Sequence, residues 1–397
     1  MNKFTKIALI ANFISSLIII VTFVAIIIMV FGGCSRLYMP KVNMKNSKIV
    51  AMKGKQSVEI PQVYELTNII IALSDYGKNN TELIDTTTAY YKRIVLHFGK
   101  FKNEPIVKKI AKGIPKKYFG QENINSHSLR LTSTNYDIDA NGKLFNTKMY
   151  HLIKPPVIMH TAKIVDELND FIVKTKFLEF YNNEKAFYDT LILEQKKYGE
   201  YEKVIKWLSA NFYVPLDQSQ RILTSPLMGG THFTIPFYQQ NQNGHVLMFV
   251  SPPKKIGKDS VNFIKKSIII GTFLTEIDEN YVQPICNTKY KSLIENAIVS
   301  PLNWSRMGKG DYDTKLSAFT EMYTHSLFVL YCYDNFPKVQ FDSINKRKAD
   351  RMVNYRKFIR FKEFNEALLE LYKNKKPTDK AEDLIPALTL WMKKQNL

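Results

Sequence analysis

Residues 275 to 284 read Thr275-Glu276-Ile277-Asp278-Glu279-Asn280-Tyr281-Val282-Gln283-Pro284. A His-Glu-x-x-His helix sets two imidazole ligands four residues apart on one face, with a glutamate base between them that takes a proton from zinc-bound water. Here Glu276 stands at the base position, and Thr275 and Glu279 stand where the imidazoles would be. Thr275 offers a neutral hydroxyl and Glu279 a carboxylate. With Glu321 from a later segment, these side chains make an oxygen set, which suits Mg2+, Ca2+ or Mn2+ better than Zn2+. No zinc cofactor is expected, and another divalent cation is the alternative. Taken without context, Thr-Glu-x-Asp-Glu is a solvated helix face.

Histidines offer a second constellation. His325 lies four residues after Glu321, so the two share a helical face, and His232 follows the Gly229-Gly230 turn. Glu321, His325, Glu279 and His232 form an alternative site; the plain reading is that these histidines satisfy local hydrogen bonds. His97, His127, His151, His160 and His245 have no ligand-like spacing. No nucleophile elbow, P-loop or dinucleotide fingerprint is present, and Met307-Gly308-Lys309-Gly310 reads as a loop.

Two helices must position the acids. One, over about 260–284, is capped by Asp259 or Ser260, carries Phe263, Ile270, Phe273, Leu274, Ile277 and Tyr281 at helical spacing, and stops at Pro284. The other covers about 316–333. Before them, residues 222–227, 232–237 and 245–250, with turns at Gly229-Gly230 and Asn243-Gly244, predict a small antiparallel sheet with 245–250 as its edge. Residues 63–73, 90–98, 162–181 and 184–208 are helical in pattern. Leu129–Leu131, an Asp139–Gly142 turn and Val157–Met159 predict short strands. The run Lys346-Arg347-Lys348, Arg351, Arg356-Lys357 and Arg360 reads as a solvated face.

Lys3 and Lys6 precede an apolar stretch from Ile7 to Phe31, followed by Gly32-Gly33-Cys34-Ser35. A small residue before a cysteine at the end of such a stretch is a lipobox pattern, with Cys34 as the lipidation site; an uncleaved transmembrane helix is the rival. Both readings tether the chain to a membrane and place it in the cell envelope. The domain plan is a signal or anchor segment over 1–34, a basic tether over 35–56 and one domain over 57–397. Three cysteines, Cys34, Cys286 and Cys332, imply no disulfide framework. The net charge of +20, from 56 basic and 36 acidic residues, favours anionic surfaces. With no RNP-type, zinc-finger or helix-turn-helix signature, no nucleic-acid partner is expected.

Several segments resemble a family of secreted bacterial proteins and lipoproteins, the domain of unknown function 4932 family. They are Tyr91–Phe98 with Phe101–Val107, Phe171–Tyr188, the Ser225-Pro226-Leu227-Met228-Gly229-Gly230 turn, and Tyr281-Val282-Gln283-Pro284 after Glu276. In that family the next helix typically carries His-Glu-Phe-Ser-His. The resemblance covers most of residues 60–390. It implies an α+β, mostly helical fold with a zincin-like metallopeptidase core. Glu276 then marks the general base, and Thr275, Glu279 and Glu321 mark former metal-ligand positions. The function this implies is that of a pseudoenzyme binding a peptide or envelope component in the old cleft. A surviving hydrolase with a carboxylate-rich site and a structural envelope module are the alternatives.

Overall fold

The computed structural model describes residues 41–116, 124–152, 159–213, 219–239, 242–252, 262–306 and 312–395. The apolar segment with Cys34, the caps Asp259 and Ser260, and the loop 307–310 lie outside them. Among the described residues no helix is long and apolar enough to cross a membrane.

The segment expected as a tether is folded from Lys41 onward. β1 (Lys41–Val42) pairs antiparallel with β5 (Tyr150–His151). The Asn43 and Asn46 amides donate to the Lys148 and Thr147 carbonyls, and Asn46 also caps α1 (Ser47–Ala51). Side-chain amides order this stretch by satisfying backbone groups, which leaves no apolar period in the sequence.

The chain is α+β and mostly helical. Its main sheet is mixed rather than antiparallel. β2 (Gln56–Glu59), β6 (Ser219–Thr224), β7 (Phe233–Gln239) and β8 (Gln242–Val250) lie in the order β2-β6-β8-β7. β2 and β8 both run parallel to β6, and only β7 runs antiparallel to its neighbour. The 245–250 stretch is therefore interior, not an edge. Its apolar run Val246–Val250 fits a strand covered on both faces. Met248 and Val250 join the C-terminal helical core, while Leu247 and Phe249 face Tyr64, Met228 and Phe233 on the other side. Asn243 and Gly244 sit within β8, because the strands close at Gln239 opposite Gln242.

The N-terminal layer surrounds α2 (Gln62–Leu73), in which every residue from Val63 to Leu73 is buried. Around it stand α3 (Asp75–Lys78), α4 (Ala89–Phe98), α5 (Pro105–Gly113), α6 (Ile124–Ser133), α7 (Val165–Thr175) and α8 (Phe177–Asn183). Leu129–Leu131, expected as a strand, belongs to α6, while the Asp139–Gly142 turn joins β3 (Tyr136–Ile138) to β4 (Leu144–Asn146). α9 (Lys185–Gly199) and α10 (Tyr201–Asn211) lead to the sheet. The two long helices expected here are four, broken at Lys176 and Glu200, which adopt φ of 54° and 44°. Lys176 has no glycine beside it, and at Glu200 the glycine, Gly199, sits one residue before the left-handed position, so the apolar period runs through both.

The C-terminal layer contains α11 (Asn262–Ile277), α12 (Glu279–Asn287), α13 (Lys291–Ala297), α14 (Lys315–Asn335), α15 (Lys338–Asp350), α16 (Phe361–Lys373) and α17 (Ile385–Lys394). α14 is its axis: Ala318 to Cys332 are all buried, and Thr314 and Ser317 form a capping box at its start. The helix expected over 260–284 breaks at Asp278 instead of stopping at Pro284, which lies inside α12. The Pro284 ring crowds the carbonyl four residues back, that of Asn280, which lies within α12 and after the break. Cys286 and Cys332 are buried, unbridged thiols.

Candidate functional site

Among the described residues, the acids singled out in the sequence do not form one donor set. Thr275 Oγ1 donates back to the Gly271 carbonyl at 2.9 Å, which turns the hydroxyl into its own helix. Glu276 is half-buried, and its Oε2 accepts from Thr234 Oγ1 of β7 at 3.4 Å. Glu279 opens α12, and its side chain lies outside the described residues. His232 accepts the Ser251 amide at Nδ1, 3.2 Å away. Among the described residues no group of three His, Cys, Asp or Glu side chains comes together as a metal site.

Glu321 and His325 do meet, as their spacing predicts, with His325 Nε2 2.9 Å from Glu321 Oε1. Two basic residues expected on a solvated face turn inward to join them. Arg356 Nη1 lies 2.5 Å from Glu321 Oε1, and Lys348 Nζ lies 2.6 Å from His325 Nδ1. The short turn after α15 carries five residues in a π-helix, Arg351–Tyr355, and the extra residue per turn aims Arg356 back at α14. Tyr312 accepts from Arg356 Nη2 at 3.2 Å, and the guanidinium also lies over the Phe358 ring. Lys348 faces Nδ1 and Arg356 Nη1 faces Nε2, so both ring nitrogens meet cationic donors, which disfavours a charged ring.

Burial alone would raise the Glu321 carboxyl, but His325, Arg356 and Lys348 overcome it and hold the pKa at about 2. Burial and the Lys348 charge push His325 down to about 3, so the ring is neutral at pH 7. Burial, with Arg356 and Arg351, lowers Lys348 to about 7 against the pull of Glu321 and the fully buried Asp278. The carboxylate thus already has its counter-cation within the chain. A divalent ion at Glu321 would share a shell with Arg356 and Lys348, and like charges that close repel strongly in a buried site. With Thr275 bonded to its own helix as well, these residues do not fit a resident metal ion.

A second buried acid went unnoticed in the sequence. Glu65 of α2 is 0% exposed. Tyr90 donates to its Oε1 at 2.8 Å, and Tyr188 donates to Tyr90 at 2.6 Å. Burial raises the Glu65 pKa to about 7, against bonds from Ser225 and Tyr90. Nearby, Arg130 is also 0% exposed; its Nε bonds Asn68 Oδ1 and its Nη2 bonds the Leu83 carbonyl, each at 2.9 Å. The Ser225–Gly230 turn roofs this network. A Cβ on Gly229 would stand 2.2 Å from the Thr81 carbonyl oxygen, so only glycine permits the approach. The available signal was a single acid inside an otherwise apolar helix. For Lys348 and Arg356 it was an eight-residue spacing, two turns apart on one face.

No family model, no curated protein and no solved structure matches the chain.

Proposed function

We propose that this protein is a membrane-tethered, non-catalytic binding module with a zincin-like core, which takes an extended peptide or envelope component along β7 beside Glu276. The observation that carries the reading is Glu321. Its carboxylate is matched by Arg356 and His325 of the same chain, so the position that the resemblance gives to a metal ligand does the work of an internal ion pair. β7 is the outer strand of its sheet, and Pro236 within it suits an outer position. Its Phe237 end packs against Tyr150 of β5, at 4.8 Å between ring centroids. Thr234, Ile235 and Pro236 are half-buried, and Thr234 adjoins Glu276. Strand addition at such an edge uses main-chain hydrogen bonds and needs no metal.

The test is metal analysis and peptidase assay of the full chain in neutral detergent. Neither stoichiometric metal nor hydrolysis is expected. Stoichiometric zinc, with hydrolysis abolished by Glu276→Gln, overturns the reading. Ancestry is tested separately. Thr275→His with Glu279→His is expected to gain zinc only when Arg356→Met is added, because Arg356 holds Glu321. No zinc gain in the triple variant removes the zincin assignment. For the tether, Cys34→Ala that leaves processing unchanged rules out lipidation.

A further inference from the structure

The N-terminal layer holds a cavity of about 560 Å3 between α4 and the junction of α7 with α8. This lies within the range of small-molecule sites. Arg93, Lys100, Lys174 and Lys176 line it, against one lining acid, Glu184. Glu184 forks Arg93, at 2.7 Å to Nε and 2.8 Å to Nη2. The guanidinium is further fixed over the Phe187 and Tyr90 rings. That fork uses two of the five guanidinium N–H groups, so Arg93 is oriented with donors to spare. Glu104 pairs with Lys174 at 2.7 Å, and Glu179 comes only within 3.9 Å of Lys176. Lys100 pairs with no acid among the described residues. Four cations less three acids leave an excess of one, and it becomes two if the loose Glu179 contact is discounted.

The apolar side of the cavity is Leu96, Phe101 and Phe180, and Leu96 is 88% exposed. His97 is held between them, its Nε2 donating to the Thr175 carbonyl at 2.9 Å and its ring 4.9 Å from Phe180. Lys176 is the strained member. It adopts φ 54° and ψ 43° between α7 and α8, where glycine is the cheaper residue. That conformation directs a lysine to the rim at a cost in stability, as functional positions often do.

We propose that this cavity binds a phosphomonoester joined to an apolar or aromatic group. A dianion matches an excess of one to two positive charges spread over separate stems, and the Arg93 fork suits phosphate oxygens. The apolar wall takes the remainder of the molecule.

The full chain in neutral detergent is titrated calorimetrically with phenyl phosphate, inorganic phosphate and phenol. Saturable binding of phenyl phosphate is expected, at least about tenfold tighter than inorganic phosphate and with none for phenol. Lys176→Gly with Lys100→Gln should weaken it about tenfold or more while the melting temperature holds or rises, because glycine relieves the left-handed residue. A control pair far from the cavity, Lys346→Gln with Lys393→Gln, should leave affinity unchanged. Vesicles with and without phosphatidic acid separate the two sources of the group. Vesicle binding competed by phenyl phosphate and lost in the cavity variant identifies a lipid headgroup. Vesicle binding insensitive to that variant identifies a free phosphomonoester. No saturable phenyl phosphate binding, equal affinity for inorganic phosphate, or equal loss in the control pair overturns the proposal.

Discussion

Glu65 and Glu321 are carboxyl groups at nearly the same depth, 0% and 8% exposed, one in each helical layer. Their ionisation runs in opposite directions, up to about 7 for Glu65 and down to about 2 for Glu321. The difference lies in what each one meets. Glu65 accepts from Tyr90, which in turn accepts from Tyr188, so neutral hydroxyls bond it and desolvation prevails over the Arg130 charge. Glu321 meets a guanidinium that never loses its charge. Burial alone therefore does not decide how an acid titrates; the charge of its nearest donor does.

The comparison breaks most visibly under the same conservative change at both acids. Glu321→Gln leaves Arg356 and Lys348 facing a neutral amide, and breaking a buried pair in this way costs about 3–5 kcal/mol. Glu65→Gln removes little charge at pH 6 from a group that is mostly protonated there, and about 1 kcal/mol is expected. Urea denaturation at pH 6 measures both. Equal losses would mean that both acids are ionised in the folded chain.

The pH dependence sharpens the contrast. The folded Glu65 pKa lies above its ordinary value of 4.5, so the folded state holds the extra proton. Stability is then lost as pH rises from about 4.5 to about 7, by roughly 3 kcal/mol in all. Lys348 has the opposite sign: its folded pKa of about 7 lies below the ordinary 10.5, so stability returns as pH rises between these values. Chemical denaturation across pH 4.5–10 isolates each arm as the difference between the chain and its variant, because His325, neutral in the fold down to about 3, gains stability as pH rises toward 6.5 and offsets Glu65 in the undivided curve. Glu65→Gln should flatten the acidic arm and Lys348→Met the alkaline one. Glu321 adds a third arm, with stability present above 4.5 and lost as pH falls toward about 2.

Gly229→Ala tests whether the roof keeps Glu65 dry. The new methyl group would push against the Thr81 and Glu82 carbonyls and cost roughly 1–3 kcal/mol. By letting water reach Glu65 it should also weaken the acidic arm. A stability loss with that arm intact would separate the turn from the acid.

Much of the helical content was legible because apolar residues recur at helical spacing, and α14 matches the expected 316–333 within a few residues. The shared face of Glu321 and His325 follows from their four-residue offset. The breaks at Lys176, Glu200 and Asp278 were not legible. Those at Lys176 and Asp278 are made by residues that also continue a helix, with no Gly or Pro at the break, and at Glu200 the mark is Gly199, which ends α9 one residue before the left-handed position. The sheet order was hidden because β2, which begins at the end of the segment taken for a tether, pairs with a strand 164 residues away, and only the fold brings them together. The inward turn of Arg356 depends on a π-helical stretch that shifts the register after Lys348, so the eight-residue spacing between the two does not by itself part them from their solvated neighbours.

The smallest effect concerns local strain. Lys357, next to Arg356, and Lys148, in the other layer, both adopt left-handed φ, at 58° and 54°. Replacing either by glycine should stabilise the fold by about 0.4–1 kcal/mol, read as a rise in denaturation midpoint. A loss at Lys357 alone would mean that its conformation helps hold Arg356 against Glu321.

The two enclosed thiols turn the C-terminal layer into its own gauge of opening. Burial pushes Cys286 up to about 12 and raises Cys332 as well, so neither is a nucleophile while the layer is closed. Each reacts with an alkylating reagent only in molecules whose helices have parted. The labelling rate then counts how often that layer opens under native conditions, without denaturant and without an introduced cysteine.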